Sequence, residues 1–465
     1  MNKLYIFFFG VLLLAGCQKD NYDKSIEIWL TTLDKKSLLE KRDLQISAKE
    51  DFSPDATISL DPSKTYQEID GFGYTLTGGS ALHLNKMSAA ARADLLQELF
   101  GTGSDEIGIS YLRLSIGASD LDETPFSYND LPEGKTDEDL ENFSLANDTV
   151  NLIPVLKEII KIAPDIKILG SPWSPPVWMK DNGDTRGGSL KEEYYPVYAN
   201  YFVKYIESMK KEGITIDAIT IQNEPLHPGN NPSLLMKADA QKEFIKNHLG
   251  PTFKENNIKT KIILYDHNAD RPDYPISILN DPEAAKYVDG SAFHLYGGKI
   301  DALTEVHNAH PDKNLYFTEQ WVGAPADFAK EIEWHIENLI IGATRNWSRT
   351  VLEWNLVADE NQKPHTDRGG CKNCLGALTI SGDSIIREPA YYIIAQASKF
   401  VRPGSVRIAS NEVQEINNVS FKTPQGDVIL IVQNKSKEKK SLKLEMEENS
   451  YQLQIPGKAV ATLKL

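Results

Sequence analysis

Two glutamates stand at the ends of apolar runs, in settings that suit acid–base and nucleophilic work. The first, Glu224, lies near the end of Ile216 to Pro225, IDAITIQNEP. Apart from Asp217, Ile216 to Ile221 consists of Ile, Ala and Thr, the composition of a strand covered on both faces, as parallel strands in α/β folds are. Glu224 follows where such a strand leaves the core, and Pro225 keeps a helix from starting at once. The second, Glu319, lies in Asn314 to Gly323, NLYFTEQWVG, where an aromatic and apolar run ends in the acid and then Trp321. A lone charged residue at such a place is ordinarily a solvated loop side chain. Asn223 beside the first acid, and a second carboxylate in the same setting, argue otherwise. Two glutamates at the same ends of two strands are what glycosidic-bond cleavage requires: one gives a proton to the leaving oxygen and the other attacks the anomeric carbon.

The elements that must position such a pair can be read from periodicity. Strand-type runs recur at 68–76, 109–117, 165–173, 216–224, 261–268, 290–297, 314–321 and 350–357. Between them apolar residues return at helical spacing, as in SAAARADLLQELFG, VNLIPVLKEIIKIAP and YYPVYANYFVKYIESMKKEG, with REPAYYIIAQASKFV as the last. Eight β/α units in series predict an α/β fold, a TIM barrel whose active site is built at the C-terminal ends of its strands. Residues 25–65 and 404–465 instead alternate apolar and polar in short runs, such as SIEIWLTT, LQISAK and ATISLD at one end and DVILIVQNKS and KSLKLEM at the other. They predict one side β-sandwich built from both chain ends, leaving 66–403 as the catalytic barrel.

Polar and aromatic residues collect at the predicted strand ends. Tyr74 follows the first strand, Arg113 and Asp120 surround the second, Trp173 and Trp178 follow the third, and Asn223 and Glu224 the fourth. Asp266 and His267 follow the fifth, His294 and Tyr296 the sixth, Glu319 and Trp321 the seventh, and Trp354 and Asn355 the eighth. A single His or Trp at a strand end is usually a packing residue. Together they describe a cup of acids and aromatic walls, suited to a sugar ring with apolar faces and a hydroxyl rim.

Composition narrows the partners. A formal net charge of −16 disfavours nucleic acid, whose recognition leans on basic surface. Residues 1–17 read as a targeting segment, with Lys3 for the positive start, an apolar stretch from Leu4 to Leu14, and LLAGC ending at Cys17. This resembles a bacterial lipoprotein signal, and the apolar run is short for a membrane span. It implies cleavage before Cys17, lipidation of that residue, and a polar tether over 18–24; Gln18 after the cysteine leans toward the outer membrane of a Gram-negative cell or its surface. Membrane contact would then come only through the lipid anchor. The two other cysteines, Cys371 and Cys374 in GGCKNCLG, cannot complete a four-ligand zinc site, and no metal or other cofactor is expected. In an exported protein the pair favours a small-loop disulfide over free thiols.

At this point the residues resemble glycoside hydrolase family 30, the family of lysosomal glucosylceramidase and microbial β-1,6-glucanases. The resemblance covers nearly the whole chain after the targeting segment and rests on IDGFGYTLTGGSA, YLRLSIGASD, LGSPWSPPVWMK, NGDTRGGSL, IQNEP, FHLY, FTEQWVG and LEWNLV. It implies a TIM barrel with a side β-structure, Glu224 as acid/base and Glu319 as nucleophile. It further implies that Arg113, Asp120, Trp173, Asn223, His294, Tyr296 and Trp354 hold the sugar. Gly78 stands where glucosylceramidases show an aspartate, Tyr74 replaces a small residue, and the loop HTDRGGCKNCLG is more like the β-1,6-glucanase branch. The implied function is a retaining hydrolase of β-glucosidic bonds, read first as an endo-β-1,6-glucanase with β-glucan as partner. Glucosylceramidase activity is the alternative, and a non-catalytic glycan-binding lipoprotein the alternative of another class.

Overall fold

A computed structural model describes residues 26–44 and 53–465. The expected signal segment 1–17 with its lipidated Cys17, the tether 18–24 and nearly all of LQISAK lie outside the described residues. Eight parallel strands close into a barrel in chain order: Gly71–Thr75, Tyr111–Ser115, Lys167–Ser171, Ala218–Thr220, Lys261–Ala269, Val288–Gly298, Asn314–Glu319 and Ser348–Asn355. The eighth pairs back onto the first, Val351 opposite Phe72. Helices follow the strands, among them Gly78–Lys86, Leu152–Ile162, Tyr195–Lys211, Ala302–Ala309, Phe328–His335 and Pro389–Ser398.

Strand parity sorts the side chains. Tyr111, Leu169, Ala218, Ile263, Ala292, Tyr316 and Leu352, one from each of the second to eighth strands, form their own buried cluster. At the matching register position of the first strand stands Gly73, where a Cβ would lie 1.8 Å from the Tyr111 carbonyl oxygen. Alternate residues such as Phe72, Leu112, Ile168, Ile219 and Phe293 belong to the larger cluster shared with the helices. Tyr198, Tyr201, Phe202 and Tyr205 press one face of Tyr195–Lys211 into that layer, every one fully buried. Full burial of a side chain of this size contributes about 1.5–3 kcal/mol each.

The fourth strand is shorter than the run that predicts it. Its ladder stops at Thr220, and the next residues leave the sheet to form the site. Glu224 takes a left-handed backbone (φ 45°) and its N–H donates to the Asp266 carbonyl at 2.9 Å. Asn223 N–H donates to the Pro172 carbonyl at 2.8 Å, so the segment is pinned to both neighbouring strand ends.

The chain ends build a nine-stranded sheet in which Ile26–Thr32, Glu40–Leu44 and Ala56–Glu68 join six strands from the C-terminal region. Val428–Asn434 is buried on both faces: Val428, Leu430 and Val432 enter the sheet's own core, whereas Ile429 and Ile431 join the barrel's. That double burial seats the side domain on the barrel. No helix among the described residues is long and apolar enough to cross a membrane.

Candidate active site

Arg113 lies at the bottom of the site. It sits mid-strand, facing the barrel interior, with its side chain fully buried. Its Nη1 donates to Glu319 Oε2 at 2.5 Å, and its Nη2 donates to Asn223 Oδ1 at 2.6 Å and to Asp266 Oδ2 at 2.8 Å. Asp266 comes from an irregular part of the fifth strand, where Tyr265 and Asp266 both have positive φ (76° and 65°). Its carboxylate also accepts from Ser171 and Thr220 at 2.7 Å and from Thr318 at 2.6 Å. Burial works to raise the Asp266 pKa, but the Arg113 charge, the His294 ring and the Thr318 hydroxyl hold it well below the usual carboxylate range.

An ionised Asp266 can only accept, so the 3.1 Å contact from His294 Nε2 to its Oδ1 carries the histidine proton on Nε2. The other ring nitrogen faces both acids: His294 Nδ1 lies 3.4 Å from Glu224 Oε1 and 3.7 Å from Glu319 Oε1. These two oxygens are therefore no more than about 7 Å apart, which excludes most of the roughly 6.5–9.5 Å range of inverting enzymes and includes the roughly 5–5.5 Å of retaining ones. Tyr296 OH donates to Glu319 Oε1 at 2.9 Å, so each oxygen of that acid has a donor. Asn230 Nδ2 donates to Glu224 Oε2 at 3.3 Å.

Both acids open into a cavity of about 340 Å³. Trp173 and Trp354 stack at 5.3 Å and form one wall with Trp321 and the Cys371–Cys374 disulfide. Asp120 enters from the loop after the second strand, and His227, His267 and Asn268 also line the cavity. Burial, followed by the negative charges of Glu319 and Glu224, pushes the Asp120 carboxyl up to about 8. A larger cavity, about 710 Å³, opens at the N-terminal ends of the strands. Its Asp217 is paired with Lys167 at 3.0 Å and its Asp70 with Arg349 at 2.7 Å, and neither Glu224 nor Glu319 lines it.

Comparison with known proteins agrees with this geometry. Residues 69–401 match the Glycosyl hydrolase family 30 TIM-barrel domain, and residues 404–463 match the family's beta sandwich domain. The chain belongs to glycosyl hydrolase family 30. Among curated family 30 relatives, the endo-1,6-beta-D-glucanase of Neurospora crassa is 38% identical over 363 residues, 75% of this chain and 74% of that one. The lysosomal acid glucosylceramidase of Mus musculus is 30% identical over 410 residues, 82% of this chain and 78% of that one. The solved structure of the endo-beta1,6-glucanase BT3312 superposes with a TM-score of 0.88 at 34% identity, covering 95% of this chain and 99% of that one.

Within this family 30 site several expectations need correction. Arg113 is expected to hold sugar hydroxyls, but it lies beneath the acids, and its guanidinium is spent on protein oxygens and packed 4.8 Å from the Trp173 ring. Tyr74 does not reach the cup: it faces the helix layer, where its hydroxyl donates to the Ala390 carbonyl at 3.0 Å. Trp178 is turned away as well, its indole N–H donating to Asn129 and its ring against Tyr194. Asn355 is spent on Thr77 and Ser80, whose hydroxyls donate to its Oδ1 at 3.1 and 2.8 Å. An acid/base role leads one to expect a raised pKa at Glu224. Burial does raise it, but the nearby imidazoles of His267 and His294 outweigh burial, and the carboxyl is held below its usual range. His294 moves the other way: burial lowers it, yet Glu319, Asp266 and Glu224 raise it to about 9.

At Gly78, where the glucosylceramidase pattern has an acid, a Cβ would lie 1.7 Å from Asp122 Oδ1. The Asp122 carboxylate already fills that space. Sequence reading missed Asn230, His227 and Asn268; LHPGNN directly after IQNEP was the available signal for the first two.

Proposed function

We propose that this chain is a retaining endo-β-1,6-glucanase, exported as a lipoprotein. One observation carries the hydrolytic reading: Glu224 and Glu319 face a single aromatic-walled cavity, with their Oε1 atoms bridged by one histidine nitrogen. Glu319 is the nucleophile. Arg113 and Tyr296 each hold one of its oxygens, so attack needs no reorientation of the carboxylate, and the ordering cost is met before substrate binds. Glu224 is the acid/base. Its resting proton is shared toward His294 Nδ1, and protonation of the leaving oxygen draws that proton back through Glu224.

Asn223 gives its Oδ1 to Arg113, which leaves its NH2 to meet the 2-hydroxyl, a contact that strengthens as oxocarbenium character develops. Trp173 and Trp354 supply apolar faces for the sugar ring, and Asp120 and Tyr296 its polar rim.

The β-1,6 linkage is supported by the endo-1,6-β-glucanase relatives and by the filled space at Gly78; glucosylceramide hydrolysis is the second reading, favoured by the glucosylceramidase relatives. The deciding experiment is incubation of residues 18–465 with β-1,6-, β-1,3- and β-1,4-glucans, xylan and glucosylceramide. Short β-1,6-linked oligosaccharides of retained anomeric configuration support the proposal. Turnover of none of these substrates favours a glycan-binding protein, and an inverted product refutes the mechanism. Lipid attachment is tested by labelled fatty acid incorporation in cells, which a Cys17→Ala chain should lose.

A further inference from the structure

Glu224, His267 and His294 bring three metal-ligating atoms within 4.8 Å of one another. His267 is buried, and its Nδ1, 3.7 Å from Glu224 Oε1, has no hydrogen-bond partner. His294 gives its Nε2–H to Asp266, so a metal that displaces the proton shared between Glu224 and His294 Nδ1 meets a lone pair on that nitrogen, 3.4 Å from Glu224 Oε1. A histidine whose far N–H is held by a carboxylate is the arrangement that stands behind zinc-binding imidazoles. Tetrahedral bonds of about 2.0–2.1 Å require ligand atoms about 3.3–3.4 Å apart. The Glu224–His294 separation is already at that value, the Glu224–His267 separation is 3.7 Å and all three atoms lie within 4.8 Å of one another, so a metal needs only a small adjustment of the His267 ring, whose Nδ1 gives up no hydrogen bond.

We propose that Glu224, His267 and His294 form a site for a transition-metal dication, Zn2+ as the type, and that its occupation blocks the enzyme. Two imidazoles select Zn2+, Cu2+ or Ni2+ over Mg2+ and Ca2+, which prefer oxygen ligands. Asp266 and Glu319 supply nearby negative charge for a cation. The remaining coordination position faces the sugar cavity, where a water completes the sphere. The metal takes the Glu224 oxygen that would otherwise carry the proton. Binding rests on the geometry alone; the blockade rests on the assignment of Glu224 as acid/base.

The test uses the tag-free chain. Zn2+ is titrated by calorimetry, Co2+ by its visible absorption, and hydrolysis of β-1,6-glucan is followed over the same Zn2+ concentrations. One ion per chain is expected, with the intense absorption of low-coordinate Co2+. Affinity should fall at least about tenfold in His267→Gln and in Glu224→Gln, since even outer-shell changes cost about 10–100-fold. Wild-type turnover should fall in step with occupancy and return on chelation. Undiminished Zn2+ affinity in both variants, or no binding at millimolar Zn2+, overturns the site. Stoichiometric binding that leaves turnover unchanged overturns the blockade and places the fault in the role given to Glu224.

Discussion

Asp120 offers a test in which pH itself reads out the construction of the pocket. Its carboxyl is buried beside two other acids and is raised from 3.8 to about 8. Between those values the folded protein keeps a proton that the unfolded chain releases. Stability from this group is therefore fully present below about pH 4, declines as pH rises through the window, and is constant again above about pH 8. The displacement corresponds to about 6 kcal/mol at pH 9. Asp120→Asn is close to isosteric with the protonated acid and cannot ionise, so it removes this loss and little else.

Thermal unfolding of the two proteins should then agree at pH 4 and diverge with pH, with Asp120→Asn higher by at least about 5 °C at pH 9. Asp122 and Asp148 are raised by burial to about 6 and 7 and slope the same way. They are common to both proteins and cancel in the difference. At pH 9, where Asp120 is ionised, the same variant should lose at least about tenfold in kcat/KM, because a neutral amide then replaces a charge-assisted contact to the sugar worth about 1.5–3 kcal/mol. A melting difference that does not change between pH 4 and pH 9 refutes the electrostatic account. Unchanged kinetics refute the placement of Asp120 against substrate.

Glu319→Ala should abolish turnover of every substrate, whereas Glu224→Ala should retain activity on aryl glucosides whose leaving groups need little protonation; steady-state kinetics on both substrate types check this. Arg113→Ala leaves Asp266 and Glu319 buried without their cation and should destabilise the barrel by about 3–5 kcal/mol, read from denaturant unfolding. Tyr296→Phe deletes one donor to Glu319 and should lower kcat/KM about tenfold without changing the melting temperature, the low end for a bond to a charged group because Tyr296 is 39% exposed.

Much of the barrel is legible in the chain because parallel strands covered on both faces must be continuous apolar runs, and eight such runs alternate with helical periodicities. The acids are legible because each interrupts such a run at its C-terminal end. Face assignment needed one more step. Gly73 and Thr75 share the parity of the interior and Tyr74 has the opposite parity, so the spacing GFGYT already turns that aromatic toward the helices. Trp178 and Asn355 could not be excluded in this way, because their partners Asn129, Thr77 and Ser80 come from distant parts of the chain. Nor could the lowered pKa of Glu224 be foreseen: it depends on two histidines from the fifth and sixth strands closing on one oxygen.

Asp266 explains why these residues form one unit. It stands at a strand end as a polar residue among many, and its sequence neighbours give no sign of its role. Only closure of the barrel brings Ser171, Thr220 and Thr318 from three other strands onto its two oxygens, alongside Arg113 and His294. Oδ2 fixes the guanidinium that holds Glu319, while Oδ1 fixes the ring nitrogen opposite the one that faces Glu224. One buried carboxylate thus sets the orientation of a partner for each acid. Its hydroxyl donors satisfy it without adding charge, which leaves the Arg113 charge divided between Asp266 and Glu319 and keeps Glu319, the proposed nucleophile, from being neutralised outright.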